Sequence, residues 1–482
     1  MAFDPKIKND LIKILDEDRV KDDRVTLYTY RSDALILHPT MPMGVVFPEN
    51  REELVAIVKL LHANQITFLP RGAGTGLSGG AIPKEGSVII EMFRFRQIYD
   101  IDFANRSITV GPGVVNIKIT EHVKENGYCF VPDPSSQKAC TVGGNVAENS
   151  GGPHTLKYGV TVNHILGIEV VLPDGEVVEL GGKQWGAPGP DLLGLFVGSE
   201  GTFGIVTKIT CRLTPLPEKV ITLLGIFPSV RDACSAVSNT IREGIIPAAM
   251  ELIDNVVIQA VEKTIAPGFP LDAEAVLVVE LEDMKDGIEE EASRVQAILN
   301  ENNATEVRRA KNEEERALIW KARKEAFGAL GTISPSYYVQ DGVIPRSALP
   351  DVLGQISDIA QKYNLTIANV FHAGDGNLHP LILYNSKIPE EIEKADKAGI
   401  EILDICVSLG GSLSGEHGIG LEKQELMGTL YSSEDLSNME WVRSFFNPQN
   451  LLNPGKIFPT PGKCAETKMG PQIVQSKSGV VA

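Results

Sequence analysis

The stretch RGAGTGLSGG, residues 71–80, decides how the amino-terminal half of the chain folds. It carries a G-x-G-x-x-G pattern at Gly74, Gly76 and Gly79, a spacing typical of loops that bind dinucleotides. In the doubly wound nucleotide-binding fold, a helix begins at that loop and directs its amino terminus at the pyrophosphate. Here a predicted strand, ITFLP, precedes the loop, but Pro83 and a second predicted strand, SVIIEM, follow it. Because no helix can begin well after the glycines, the pattern argues against the doubly wound fold.

Without that helix, the loop has two interpretations. It is either a nest of backbone N–H groups that binds a phosphate, or only a turn that requires positive φ angles. Two further glycine-rich segments favour the nest: PDPSSQKACTVGGNVAENSGG from Pro132, and VGSEGTFGIVTKI over 197–209. Three polar glycine loops that interrupt predicted strands indicate one long ligand that carries phosphate.

Composition limits the classes of function. The 482 residues suffice for two or three domains, and 63 acidic against 45 basic side chains give a net charge of −18. This charge makes nucleic acid and anionic lipid poor partners. The sequence contains no apolar run long enough for a membrane span and no secretory leader, which predicts a cytoplasmic protein. Peripheral attachment to a membrane through a partner stays open.

The six cysteines form no C-x-x-C pair, which argues against an iron–sulfur cluster or a zinc ribbon in this chain. They are expected to be reduced and mostly buried thiols.

The chain divides into four predicted segments. Two prolines, Pro215 and Pro217, end a first domain over 1–217. Alternating strand-like runs and longer helical patterns predict an α+β second domain over 218–420. Residues 421–460 are expected to form a helix and then a turn at Asn453, and 461–482 a flexible tail.

A compact group of chemically active residues lies in the second domain. FHAGDGNLH supplies His372 and His379, and SGEHGIG supplies Glu416 and His417. Two imidazoles and a carboxylate are the ligand set of a catalytic metal with open positions. The two histidines are seven residues apart, so a turn at 374–376, rather than a helix, is expected between them. Alternatively, these histidines stabilise turns and Glu416 is a surface carboxylate.

Six motifs in order, over about residues 40–460, resemble the FAD-linked oxidases of the vanillyl-alcohol oxidase type. They are PRGAGTGLSGG, the PDPSS to KYG run, GSEGTFGIVT, FHAGDGNLH, SGEHGIG and FNPQNLLNPGKIFP. The closer resemblance is to the branch of glycolate oxidase D subunits and D-lactate or D-2-hydroxyacid dehydrogenases. It implies an α+β fold with an FAD-binding domain, an antiparallel-sheet cap domain that carries the metal site, and a C-terminal helical segment that returns to the flavin.

The resemblance also implies the residues that bind the cofactor. Some relatives attach flavin through a histidine or cysteine, but residues 71–83 contain neither, so FAD is expected to be non-covalent. The implied FAD-binding residues are Arg71, Gly72, Gly74, Thr75, Gly76, Ser78, Pro134, Ser135, Thr141, Gly144, Asn145, Ser150, Tyr158, Gly159, Glu200, Ile205 and Asn453.

In the same way, the resemblance implies catalytic roles. His372, His379 and Glu416 would bind zinc or a similar divalent ion, and His417 is the candidate general base for the substrate hydroxyl. Arg323 matches the arginine that binds the substrate carboxylate, which its planar fork suits. The alternatives are a packing role for His417 and a solvated helix position for Arg323.

Two departures from the family's 2-hydroxyglutarate members favour a small monoacid, glycolate or D-lactate. The segment SYYVQDG has no lysine, and Leu381 stands where those members have asparagine. Electrons are expected to pass to an acceptor other than NAD, such as a quinone or an iron–sulfur subunit, and the resemblance implies a homodimer. Competing hypotheses are a flavoprotein subunit with little activity alone, a non-redox FAD-dependent transferase, and a flavin-free metallohydrolase.

Overall fold

The computed structural model describes residues 3–36, 38–184, 186 and 189–460. The α-helices within these ranges are α1 (Pro5–Leu15), α2 (Arg24–Thr29), α3 (Arg51–Ala63), α4 (Asn116–Val123), α5 (Val142–Glu148), α6 (Thr155–Tyr158), α7 (Leu192–Phe196), α8 (Val230–Arg242), α9 (Asn255–Thr264), α10 (Ile288–Glu301), α11 (Glu313–Lys324), α12 (Ala326–Ala329), α13 (Leu349–Tyr363), α14 (Pro389–Ser408), α15 (Met427–Leu430) and α16 (Ser433–Phe446). The strands are β1 (Val20–Lys21), β2 (Gly44–Val46), β3 (Phe68–Arg71), β4 (Val88–Glu91), β5 (Ile98–Asp102), β6 (Ser107–Val110), β7 (Tyr128–Cys129), β8 (Ile165–Val171), β9 (Val177–Gly181), β10 (Ile205–Arg212), β11 (Thr214–Pro215), β12 (Lys219–Phe227), β13 (Ala249–Asp254), β14 (Ala275–Asp283), β15 (Glu306–Arg309), β16 (Ser336–Val339), β17 (Thr366–His372) and β18 (Pro380–Tyr384).

A four-stranded sheet, in the order β1-β2-β4-β3, carries the first glycine loop at its edge. Strands β2, β4 and β3 run parallel, and α3 crosses between β2 and β3. Asn50 caps α3 by accepting a hydrogen bond from the Glu53 amide at 2.9 Å. The chain passes from β3 to β4 without a helix, which confirms that the glycine loop does not belong to a doubly wound fold.

A five-stranded antiparallel sheet, in the order β5-β6-β10-β8-β9, lies next along the chain. A hairpin around Pro173 joins β8 and β9. The second glycine-rich segment differs from the expected loop, because residues 142–148 form α5, which Thr141 caps at its amino terminus. Gly143 serves close packing there: a Cβ atom would come within 2.5 Å of Pro112 Cβ. The glycines of this segment were predicted to lie in a loop, because the residue they pack against is distant in sequence.

A seven-stranded antiparallel sheet, in the order β15-β12-β14-β13-β17-β18-β16, follows from Lys219 onward. Helices α8, α10, α13 and α14 pack on one face, and α9, α11 and α12 on the other. Successive residues of β14 alternate between the two cores, Leu277 in one and Val278 in the other. Burial on both faces explains the continuous apolar runs of these strands.

The last described segment returns to the first sheet. After α16, Leu452 forms a parallel bridge with Phe68. The Asn453 side chain then donates hydrogen bonds to the carbonyls of Gly80 at 3.0 Å and Glu200 at 2.8 Å. The C-terminal segment therefore joins the first and third glycine loops, while the predicted tail over 461–482 lies outside the described residues.

Two expectations from composition can be compared with the described part of the chain. None of its helices is long and apolar enough to cross a membrane. Its five cysteines are free thiols, and four of them are buried; the sixth, Cys464, falls outside the described ranges.

Candidate active site

A cavity of about 350 Å³ lies where the three glycine loops meet the second half of the chain. Predicted site residues that line it are Gly72, Gly74, Thr75, Gly76, Pro134, Ser135, Thr141, Gly144, Asn145, Ser150, Glu200, His379, Glu416 and His417. A smaller adjoining cavity of about 70 Å³ adds Arg71 and Ile205. The loops that were predicted to hold a phosphate-bearing ligand and the motifs that were predicted to do chemistry thus share one space.

Close approach of backbone and side chains builds this cavity. Gly74 and Gly79 have positive φ angles of 66° and 82°. A Cβ atom at Gly74 would overlap the guanidinium of Arg71, and one at Gly72 would overlap the Thr141 hydroxyl. Arg71 therefore supports the loop from behind and donates to the Ser32 carbonyl at 2.9 Å. This packing requires glycine and leaves the loop backbone facing the cavity, as a long cofactor requires.

Four predicted cofactor residues lie outside both cavities. The carbonyl of Ser78 accepts hydrogen bonds from the amides of Leu421 and Glu422. The Tyr158 hydroxyl donates a hydrogen bond to Glu282 at 3.0 Å, and Gly159 directly follows Tyr158. Asn453 joins the first and third glycine loops. Their contacts hold the cavity walls together, and direct contact with a cofactor stays a prediction for each.

Two candidate metal ligands lie at the facing ends of β17 and β18. His372 ends β17, His379 directly precedes β18, and the turn between them has Gly376 at φ 81°, as the spacing predicted. The Nε2 atoms of His372 and His379 lie 3.4 and 3.3 Å from Oε1 of Glu416. A tetrahedral ion with bonds of about 2.0–2.1 Å has ligand-to-ligand edges of about 3.3 Å, so these residues fit such an ion.

The pKa shifts of His372 and His379 are compatible with a bound cation. Burial lowers the pKa of His379 to about 4, and both its ring nitrogens lack a hydrogen-bond partner among the described residues. Burial opposes charge on His372 too, but Glu251 and Glu416 raise the pKa of His372 well above its ordinary value. Two buried carboxylates beside one imidazole favour a positive charge there, which a metal ion can supply in place of a proton.

Asp341 offers a second possible ligand set with His379 and His417. Its carboxylate is already satisfied, however. It accepts from the Ser414 hydroxyl at 2.5 Å, the His417 amide at 2.9 Å and Lys423 Nζ at 3.2 Å. Although burial opposes ionisation, His417 and Lys423 hold the pKa of Asp341 well below its ordinary value. Asp341 therefore positions the turn that carries Glu416 and His417, and the set with Glu416 is the better candidate.

The ring of His417 stacks on that of His379, with centroids 4.9 Å apart. Its Nε2 lies 3.6 Å from Glu416 Oε1, and its buried Nδ1 has no hydrogen-bond partner among the described residues. Despite the opposing effect of burial, Asp341 and Glu416 raise the pKa of His417. An imidazole at the wall of the cavity with such a pKa can accept and hold a proton.

Arg323 is neither a solvated charge nor a lining residue of the cavity. It is 2% exposed, and its Nε donates to Glu251 Oε2 at 2.6 Å. Its Nη2 is buried without a hydrogen-bond partner among the described residues, so it retains donor capacity.

Three acids of the site, Glu251, Asp341 and Glu148, were not predicted from the sequence. Each is the one acid in a largely apolar or small-residue segment, AMELI, VQDGV and NVAEN. A lone acid in such a run is a signal of a buried, partnered carboxylate.

Comparisons with known proteins identify the family of the chain. Residues 42–181 match the model of the FAD binding domain, and residues 216–457 match that of the FAD linked oxidases, C-terminal domain. The glycolate oxidase subunit GlcD of Escherichia coli K12 is 48% identical over 91% of this chain and 88% of its own. The D-lactate dehydrogenase of Archaeoglobus fulgidus is 33% identical over 86% of this chain and 90% of its own.

Among solved structures, the 4-ethylphenol oxidase from Gulosibacter chungangensis matches with a TM-score of 0.79, at 18% identity over 94% of this chain and 97% of its own. That likeness concerns the fold, which is the one implied by the six motifs. The matched families and the sequence relatives show that the chain belongs to the FAD-linked oxidases, on the branch that contains the glycolate oxidase D subunits.

Proposed function

We propose that this protein oxidises a small 2-hydroxy monoacid, glycolate or D-lactate, to the corresponding 2-oxo acid. The observation that carries the proposal is the shared cavity, whose walls include both the glycine loops and His379, Glu416 and His417. A cofactor held by the loops and a substrate held by the cluster would therefore meet. The names of two relatives, a glycolate oxidase subunit and a D-lactate dehydrogenase, support the same chemistry.

FAD, when bound, supplies the acceptor for the hydride from the substrate α-carbon. The protein's own residues have separate tasks. The first two loops hold the cofactor through backbone amides, and His417 accepts the proton of the substrate hydroxyl. His372, His379 and Glu416 would hold a divalent ion, zinc by ligand type, whose chemistry is to acidify and orient a bound hydroxyl.

The surroundings of the cluster support a substrate with one carboxylate. No lysine or arginine lines the described part of the cavity, and Leu381 is fully buried in an apolar core. Arg323 does not line the cavity, but it is the arginine that the family motif assigns to the single carboxylate, and its Nη2 has no partner among the described residues. A second carboxylate would have no comparable partner.

The electron acceptor is proposed to be a partner subunit or a quinone rather than NAD. One relative is named as a subunit of an oxidase, which supports a partner protein. A homodimer and peripheral attachment to a membrane are further proposals, which rest on the family resemblance.

An anaerobic absorption spectrum of the purified protein tests the proposal. We expect a flavin band that is bleached by glycolate or D-lactate, and not by L-lactate or D-2-hydroxyglutarate. Prior chelation should prevent the bleaching, and added zinc should restore it. A flavin band that none of the four acids bleaches would remove the dehydrogenase assignment.

The word subunit in that relative's name favours one second candidate, a flavoprotein that is inactive without its partner. The same spectrum separates the two. Bleaching of the isolated chain by substrate, without turnover of a dye acceptor, would indicate that only reoxidation requires the partner.

A further inference from the structure

Glu148 is a carboxyl group at the cavity that the proposed mechanism does not use. It ends α5 and lines the cavity between the first glycine loop and the turn at 416–420. A Cβ atom at Gly80 would come within 2.7 Å of Glu148 Oε1, and one at Gly418 within 2.5 Å of Oε2. The Oε2 atom is buried, and the carboxyl group makes no hydrogen bond to any described residue. A buried polar group without a partner calls for an explanation.

The neighbouring Glu200 differs in its partners. Its two oxygens accept from the amides of Ile419 at 2.7 Å and Gly420 at 2.8 Å. A Cβ atom at Gly418 would also lie 2.9 Å from Glu200 Oε1, so both carboxyl groups crowd this glycine. Two carboxylates this close cannot both carry a charge at low cost, and the one with amide donors keeps it.

Glu148 is therefore the neutral member of the pair. Burial and then the charge of Glu200 raise the pKa of Glu148 well above its ordinary value, more than Lys423 and Lys456 lower it. A neutral carboxylic acid presents one donor and one acceptor side by side. A ligand that contacts Glu148 is expected to supply a complementary donor or acceptor.

Within FAD, the lactam edge of the isoalloxazine ring has that pattern, an N–H beside a carbonyl. The pyrophosphate has no donor. The adenine has a similar edge, but Glu148 contacts Gly418, which directly follows His417, so it lies at the reactive end of the cavity. We propose that Glu148 hydrogen-bonds to the lactam edge of the flavin and so orients the ring toward His417.

A comparison of two variants and two cofactors tests this pairing. Glu148→Gln keeps a donor beside an acceptor, whereas Glu148→Leu keeps only the volume. We expect FAD affinity to be retained in the Gln variant and to fall roughly tenfold or more in the Leu variant. N3-methyl-FAD, which lacks the donor, should bind roughly tenfold more weakly than FAD to the natural protein and equally well to the Leu variant.

The exposed Glu179→Leu on β9 is the matched control and should bind both cofactors as the natural protein does. The pairing would be overturned if the natural and Leu proteins lost the same affinity when N3-methyl-FAD replaced FAD. A Gln variant that loses as much affinity as the Leu variant would also overturn it. If the Leu variant does not fold, the natural and Gln proteins still provide a test. The pairing would be overturned if both bound N3-methyl-FAD as tightly as FAD. Cofactor affinity is measured without any hydroxy acid, so these outcomes are independent of the proposed substrate.

Discussion

The carboxylate of Glu251 binds both a candidate metal ligand and the candidate substrate arginine. Its Oε1 accepts from His372 Nδ1 at 2.7 Å, and its Oε2 accepts from Arg323 Nε at 2.6 Å. Burial raises the pKa of Glu251, but Arg323 and His372 hold it below its ordinary value. The hydrogen bond to Nδ1 directs Nε2 of His372 at Glu416, so a residue on β13 sets the orientation of the cluster.

Substitution Glu251→Gln should therefore weaken metal binding. The amide keeps the shape but lacks the charge that orients and polarises His372, and such losses cost about 10- to 100-fold in metal affinity. Metal content after dialysis against graded chelator measures the effect, and a melting curve checks the fold. Glu274→Gln, at an exposed position, is the control. Equal retention of metal by both variants would contradict the role of Glu251.

Substitution His417→Ala should slow the reduction of bound flavin by substrate about 10²-fold or more, as loss of a general base does. FAD and metal should stay bound, because the ring of His417 is assigned to neither. Stopped-flow absorption under anaerobic conditions measures the rate, with the exposed His122→Ala as control. Near-normal reduction would remove His417 from the mechanism.

Arg323→Lys separates the two tasks of that side chain. The ammonium can still pair with Glu251, whereas the planar fork for a substrate carboxylate is lost. We expect a folded protein whose substrate saturates flavin reduction at concentrations roughly tenfold higher. Lys321→Ala, on the exposed side of the same helix, should leave saturation unchanged. An unchanged saturation curve for Arg323→Lys would argue that the unpartnered Nη2 has no substrate to bind.

The surroundings of His154 indicate that the thermal stability of the protein depends on pH. Its Nδ1 lies 3.0 Å from Asp133 and its Nε2 lies 3.5 Å from Glu280, while its ring stacks on Trp320. Burial opposes the charge, but Asp133, Glu280 and Glu282 raise the pKa of His154 well above its ordinary value. Arg316 and Lys324 also face this group of acids, as partners of Glu280 and Asp133.

The pKa of His154 in the folded protein exceeds its unfolded value of about 6.5. Its contribution to the free energy of unfolding is therefore complete below about pH 6.5 and is lost as pH rises through the folded pKa. The thermal midpoint of the natural protein should therefore fall over that range. His154→Gln should show a lower midpoint at pH 6 and a smaller fall with rising pH. Parallel curves for the two proteins would contradict the prediction.

Asn453 should matter for cofactor retention although it does not line the cavity. Its φ of 41° suits asparagine or glycine, so Asn453→Gly removes the two hydrogen bonds without backbone strain. We expect roughly tenfold weaker FAD binding, since two loops lose a shared partner. Asn450→Gly, also at positive φ but exposed, controls for the glycine itself. Equal affinity in both variants would contradict the prediction.

The structural features that depend on residues close together in the chain can be predicted from the sequence. Asn50 as a helix cap, the strand-to-strand course of the glycine loop and the turn between His372 and His379 all follow from spacing and residue type. The helical turn over 142–148 and the burial of Arg323 do not, because each depends on a partner about 30 to 70 residues away. Glu251 was missed for the same reason: its partners lie on other elements.

The bridge of Leu452 to Phe68, together with the side chain of Asn453, has a consequence for biosynthesis. The wall between the first and third glycine loops is complete only when a segment near the end of the chain is in place. During translation, the amino-terminal sheets leave the ribosome hundreds of residues before that segment does. Firm capture of the cofactor is therefore expected only after the segment that contains Asn453 has been synthesised and has docked.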